Sequence, residues 1–432
     1  MKRPLVIALL IVALLFVGAG IMAVIFFGIN EGFDRFSFDA NRVSATAEES
    51  KNYSSEGVTG LEVQNDAGNV NIAGGDVSQI SIEATKTAWG LDEAGANAAL
   101  KELKYTVRKD GDALVVTFEQ NPQQQAKNKL DTIDFVITVP REMPATVKVQ
   151  FGKIDLKGTE GDADLESAFG DIRVENVKGA LTVNTQSGGV VTKSISGGSG
   201  NISLQSGFGN LTLEKMSSGD LHVESESGAI QLDDVRAADE MELFTKFGSV
   251  GFEKGSADKL TVTTESGKVE LTSLQITETL KVIDKFGNIS LEQVDAKSYD
   301  LDTDSGAIEV DGLSDTLKAH SGFGNITIKN GENATIDLDT ESGTVIYEGT
   351  LGEGPHILNS NFGEIRLAIP ADAALNVDLE TKFGKIKSVL PITITVTGNV
   401  ESDHFVGTIN GGGDELTATT ESGSISLEIL SE

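Results

Sequence analysis

Sixty-six carboxylates in 432 residues give acid–base and cation-binding chemistry the first claim on this chain. Asp300, Asp302 and Asp304, like Asp337 and Asp339, alternate with residues of the opposite parity, which puts each set on one face of an extended strand. Stacked sets of this kind would form a calcium-binding ladder, and two facing carboxylates would form a glycosidase pair. The blander reading is a solvated acidic surface, and the glycine-rich calcium nonapeptide is absent. The four histidines, His222, His320, His356 and His404, form no HExxH and no other close metal pair. Parity turns His222 outward and His356 and His404 inward, so surface and packing roles are expected. Ser-Gly steps lack the strand-to-helix context of a nucleophile elbow, and the GGSG and GGG runs at 197–200 and 411–413 lack the lysine and helix of a phosphate loop. Sequons at Asn201, Asn210, Asn288, Asn325 and Asn333 mostly follow a turn glycine, where asparagine tolerates left-handed backbone. Without cysteine there is no disulfide, thiolate metal site or cysteine nucleophile. With 34 basic residues against 66 acidic ones, a net charge of −32 argues against nucleic acid. The chain is therefore expected to be no enzyme, with no catalytic residue, no cofactor and no metal, calcium on the acidic outer faces being the one ion worth testing.

The elements that carry these side chains come from a repeat. A glycine preceded by Phe or Ser and followed two residues later by Ile, Val or Leu recurs at Gly152, Gly170, Gly188, Gly209, Gly228, Gly248, Gly267, Gly287, Gly306, Gly324, Gly343, Gly363, Gly384 and Gly423. Up to Gly384 the steps are nearly constant at roughly 20 residues, the period of a stacked repeat, and Gly407 fills the last, longer gap, giving about fifteen units. On both sides of the glycine, apolar residues alternate with polar ones: Leu221/Val223 and Ile230/Leu232, Leu280/Val282 and Ile289/Leu291. That period of two marks strands with one buried face, joined by a turn for which glycine supplies positive φ. One unit buries about five apolar side chains at roughly 1.5–3 kcal/mol each, less than the ordering entropy of about twenty residues at roughly 1.5 kcal/mol each. No unit folds alone, so the units must stack into a parallel β-solenoid, on the order of 70 Å long at about 4.8 Å per strand. Parity places the Ser or Thr three residues before the glycine inward. The same parity sends the residue immediately before the glycine inward, which makes Phe208, Phe247, Phe286, Phe323 and Phe362 core residues alternating with serines. A coil of one unit, ~20 residues, is favoured over a coil of two, because each unit already holds two strands and two turns.

The flanks divide the rest. Residues 4–29 form an uncharged apolar run, longer than the ~20 residues that cross a bilayer as a helix and longer than a cleaved signal requires. Lys2 and Arg3 precede it and acids follow, so the amino terminus is expected in the cytoplasm and the bulk outside it, at the cell surface or in the periplasm. The expected organisation is an anchor at 1–30, a linker at 31–57, a capping region at 58–147 with one helix near 89–104, and repeats over 148–432. The closing LTATTESGSISLEILSE shows no cover, which opens a route to a homo-oligomer through the C-terminal coil.

The opening GLEVQNDAGNVNI, the DFVITVP segment and the chain of SGxI and FGxI turns (SGAIQL at 227–232, FGNISL at 286–291, SGTV at 342–345) resemble the bacterial "putative adhesin" family of unknown function, over roughly 58–432. The resemblance implies a β-helix-like stack, often carried on envelope proteins, and brings no catalytic residues with it. The resulting expectation is a membrane-anchored, exported, non-enzymatic adhesin-like protein that contacts a surface glycan or envelope protein. Alternatives are a β-helix carbohydrate-active enzyme, which would need an outer groove collecting aromatic residues with acids, and a self-assembling envelope scaffold.

Overall fold

The coil Leu221–Ala237 shows how the repeat folds. Leu221, Val223 and Ser225 point inward, the chain turns at Gly228, and Ile230, Leu232 and Val235 point inward again, all buried. In the computed structural model, which describes residues 42–120, 131–394 and 403–431, this coil is stacked between like coils through parallel strand pairs. Its first strand sits in the ladder Leu181–Ile202–Leu221–Met241–Leu260–Leu280–Tyr299–Leu317–Ile336. Every member of that ladder is buried. Leu221 pairs with Ile202 of the unit before it and Met241 of the unit after it, so one coil is one unit.

Two compact units make up the chain. The described part of the smaller comprises 42–46 and Thr87–Leu103 and contains the helix Glu93–Glu102. That helix starts later than expected from 89–104 because Asp92 caps it, its carboxylate accepting from the Gly95 N–H at 2.7 Å. The larger unit, Ala47–Lys86 and Lys104–Glu432, is the all-β parallel solenoid. It has about 11 turns rather than about fifteen. At both ends the units do not stack in chain order. Strands Gly60–Ala67 and Val70–Gly75, expected in a cap, form an ordinary coil against Ala145–Phe151 and Ile154–Lys157. The later strands Ala113–Phe118 and Thr132–Pro140 lie on its other side. At the far end the last segments, Asp414–Thr420 and Ile425–Ile429, insert between His356–Phe362/Ile365–Ile369 and Leu375–Thr381/Ile386–Ser388.

The expected uncovered final coil is therefore internal to the stack. Its edge role passes to Leu375–Thr381, which is covered by the antiparallel strand His404–Ile409 holding Gly407. At the other end Thr106–Asp110 runs antiparallel to Ala113–Phe118. Antiparallel end strands cannot continue a parallel ladder, which blunts both edges. The linker expectation for 31–57 also changes: Val43–Ser54 is a strand, on which Glu49 forms an ion pair with Lys86 and Lys51 sits 4.2 Å over the Tyr105 ring. The apolar run at 4–29 lies outside the described residues; among those described, no helix is long and apolar enough to cross a membrane.

The turn glycines hold their positions for a different reason from the one read in sequence. A Cβ on any of the fourteen would fall under 3.0 Å from a backbone carbonyl, that of the glycine one coil below. The column runs from Gly68 through Gly152 and onward to Gly343, Gly363, Gly423 and Gly384, retracing the insertion of the last segment. From Gly188 onward none of them has a left-handed φ, so close stacking is what excludes a side chain. The left-handed corner lies six residues later, at Asn176, Ser194, Lys215, Asp234, Lys254, Ser273, Gln293 and Asn330, with φ from 52 to 58°. Asn176, Asp234 and Asn330 are types that tolerate this geometry, and Gly158 and Gly312 take the same place in two other coils; Ser194, Lys215, Lys254, Ser273 and Gln293 carry no such signal.

Candidate functional site

Inside the stack, the hydroxyl column three residues before each glycine is buried, as expected, and does a specific job. Ser206 donates to the Gly188 carbonyl at 3.1 Å, Ser225 to Gly209 at 3.2 Å, Thr340 to Gly324 at 3.0 Å and Ser360 to Gly343 at 2.8 Å. Each hydroxyl thereby ties its coil to the turn of the one below and satisfies its own buried oxygen. Asp284 occupies this column between Thr264 and Thr303. It is 1% exposed, its Oδ1 accepts from Phe286 N–H at 3.2 Å and its Oδ2 has no partner. Burial pushes its carboxyl up to about 6, against the Phe286 hydrogen bond, which lowers it. His356 is also buried, inward as expected; it donates from Nε2 to Gly352 O at 3.2 Å, and burial depresses its pKa. His404, also expected inward, is instead exposed on the antiparallel end strand, 2.8 Å from Asp378.

On the outer wall the acids do not converge. The register sets Asp300 beside Lys318 and then Asp337, and Asp302 beside His320 and then Asp339. Lys281 closes on Asp300 from the other side at 2.8 Å, which raises the lysine pKa, and His320 Nδ1 lies 2.8 Å from Asp339. The two acidic sets that alternation put on one face are thus separated by a coil that carries Lys318 and His320 at these positions, and no group of three metal-ligating side chains occurs among the described residues. His222 is outward, between Glu224 at 3.5 Å and Glu242 at 3.0 Å. Concavities are shallow and open. One, of about 350 Å³, lies where Gly251 leaves a notch between Gln231 and Glu270; another, of about 390 Å³, is lined by Arg236, Lys254, Ser273 and Asp295.

The phenylalanines correct the sequence reading. Phe208, Phe247, Phe286, Phe323 and Phe362 are not core residues: they are 61–64% exposed. Strand alternation ends at the buried hydroxyl, where the chain starts to turn, and the interior of the corner is taken by hydroxyl and stacked glycine backbone. The residue before the glycine is thrown outward. The strands place these rings in one external column, Ser187–Phe208–Ser227–Phe247–Ser266–Phe286 and Phe323–Ser342–Phe362. At the start of the column Phe151 and Phe169 fall on consecutive coils and stack at 5.2 Å with ring planes 6° apart. Beside the rings charge follows size at some coils: Glu226, Glu265, Asp304 and Glu341 precede serines and Lys246, Lys285 and Lys382 precede phenylalanines, whereas Phe208, Phe323 and Phe362 follow Gly207, Gly322 and Asn361. Lys246 reaches Glu226 at 3.5 Å and Lys285 reaches Glu265 at 3.3 Å, each one coil down. After the glycine, the asparagines of the FGN coils bond upward, Asn210, Asn288 and Asn325 accepting from the N–H of Ala229, Ala307 and Thr344 at 2.8–2.9 Å. Their role is inter-coil bonding rather than left-handed turn geometry. The alternation of Phe and Ser was legible in sequence; its direction was not.

Fold and surface together define a β-solenoid repeat protein that presents ordered outer columns. The chain belongs to the family described as Toastrack DUF4097, whose model matches residues 58–292 and 253–428. Among solved structures, a "putative cell adhesion protein" from Clostridium sporogenes is similar at 10% identity, covering 89% of this chain and 99% of that one with a TM-score of 0.22. A "putative adhesin" from Bacteroides fragilis is similar at 12% identity, covering 61% and 97% with a TM-score of 0.32. One from Parabacteroides distasonis is similar at 13% identity, covering 70% and 97% with a TM-score of 0.31. No curated protein matches the chain. Likeness this distant says nothing about a ligand.

Proposed function

We propose that the chain is a membrane-anchored, exported, non-enzymatic adhesin-like protein whose outer columns contact a component of the cell envelope, a surface glycan or protein. The observation that carries this reading is where the chemistry goes. Lys281 pairs with Asp300 and His320 lies against Asp339 on the next coil, buried hydroxyls are bonded to glycine carbonyls, and a row of phenyl rings projects outward from the same stack. Exposed aromatic rows are unusual on a wall that is otherwise charged and mark contact surfaces. The apolar run at 4–29, after Lys2 and Arg3, supports the anchor and its orientation. Two measurements test the reading. Protease added to intact cells should digest the solenoid and spare the amino terminus. Purified full-length chain should bind isolated envelopes, with Phe208→Ser/Phe247→Ser/Phe286→Ser binding at least tenfold less. A solenoid protected from protease, or a hydrolase or lyase activity abolished by one acidic substitution, would overturn it.

A further inference from the structure

The phenyl column raises a question that packing inside one chain does not answer: why serine stands on every second coil. Rings on consecutive coils are accommodated, because Phe151 and Phe169 stack at 5.2 Å with planes nearly parallel. From Phe208 to Phe362 that continuous stack is replaced by rings on alternate coils. At a rise of about 4.8 Å per coil, neighbouring rings there stand roughly 9.6 Å apart. The gap is one ring thick: a ring placed over the intervening serine would lie one coil rise from each neighbour, the separation at which Phe151 and Phe169 already stack.

We propose that the column Phe208, Phe247, Phe286, Phe323 and Phe362 docks a second copy of this chain, the rings of each copy entering over Ser227, Ser266, Ser305 and Ser342 of the other. The proposal rests on the surface-contact reading and names the partner for this column. Size complementarity is one support, since a comb of large and small residues at equal spacing is its own mould when displaced by one coil, as a two-fold interface requires. Charge is a second support at two of the five rings. Lysine accompanies the rings at Lys246 and Lys285, and acid accompanies the serines at Glu226, Glu265, Asp304 and Glu341. Displacement by one coil brings Phe247 with Lys246 and Phe286 with Lys285, which within one chain lie 3.5 and 3.3 Å from Glu226 and Glu265, to the level of serines with acids on the other copy, whereas Phe208, Phe323 and Phe362 follow the uncharged Gly207, Gly322 and Asn361. The chain's net charge of −32 opposes association at long range, but charges beyond about 10 Å are largely screened at 0.1 M salt, whereas the facing pairs are not.

The test uses the full-length chain in detergent micelles, with protein mass read by light scattering after size exclusion; every variant keeps the same apolar amino terminus. Wild type should show twice the chain's mass. Phe247→Ser/Phe286→Ser/Phe323→Ser, which places at each site the residue its neighbours already carry, should halve that mass with unchanged melting. Ser266→Phe/Ser305→Phe fills the gaps with the chain's own rings. It adds exposed apolar surface yet should also fall to the mass of one chain, an outcome that general stickiness cannot produce. Lys246→Glu/Lys285→Glu should dissociate alone and regain the doubled mass when mixed with Glu226→Lys/Glu265→Lys. A gap-filled variant that associates as strongly as wild type overturns the pairing. So does a wild type that stays at the mass of one chain; if it still binds envelopes through the same phenylalanines, the contact reading stands and only the partner is wrong.

Discussion

Asp284 should make the stability of the solenoid fall as pH rises, against the usual behaviour of acidic side chains. It sits where every neighbouring coil places a hydroxyl, and those hydroxyls donate to a glycine carbonyl: Thr264 to Gly248 and Thr303 to Gly287. The carbonyl equivalent for Asp284 is that of Gly267. A protonated carboxyl donates there as threonine does, whereas an ionised one only accepts and leaves Oδ2 buried without a donor. The folded-state pKa of about 6 stands above the ordinary 3.8. The neutral form is therefore favoured by folding: its contribution is fully present below 3.8 and is lost as pH climbs through about 6. The gap between the two values corresponds to about 3 kcal/mol once the group is fully ionised. Asp284→Thr restores the column's own chemistry and cancels this dependence. Denaturant unfolding of wild type and variant, side by side across pH, removes the contribution of the other acids by subtraction. The variant's advantage should grow between pH 3.8 and about 6, reach up to about 3 kcal/mol, and then level off. A difference that is flat over this window, or that shrinks as pH rises, would refute the assignment.

Gly287→Val should cost at least about 1–3 kcal/mol, because any Cβ there meets the Gly267 carbonyl and backbone must shift; unchanged melting would remove the stacked-glycine account. Phe247→Ser should leave the melting temperature where it is, while Leu243→Ala, two strand positions before the hydroxyl column and buried, should lose about 2–5 kcal/mol. Reversal of that pair would mean that the rings point inward after all. His356 should stay neutral as pH falls through the ordinary histidine value of 6.5, since burial depresses its pKa; the stability it contributes is present above 6.5 and is lost below it. Its ring proton shifts, followed by NMR, should titrate at lower pH than those of an exposed histidine.

The repeat, its length, the all-β stack and the inward hydroxyl column were legible in the chain itself, because period-two alternation and a glycine recurring at nearly constant spacing constrain local geometry residue by residue. His356 and His222 were placed correctly by the same parity. Parity failed where the strand ends. After Ser225 the backbone turns at Gly228, and counting by two past that point sends Phe208 and Phe247 into a core that has no room for them. It also failed where stacking order departs from chain order, since pairing between Leu375–Thr381 and Asp414–Thr420 depends on which edge is free, not on what lies next in sequence. The alternation of phenylalanine with serine, with lysine beside Phe247 and Phe286 and acid beside Ser227, Ser266, Ser305 and Ser342, was written in the amino acids. Only the stack, by setting successive units one strand apart on a common wall, turned that pattern into an exposed comb, because the distance between equivalent residues of successive units is fixed by hydrogen bonding between coils and by nothing within a single one.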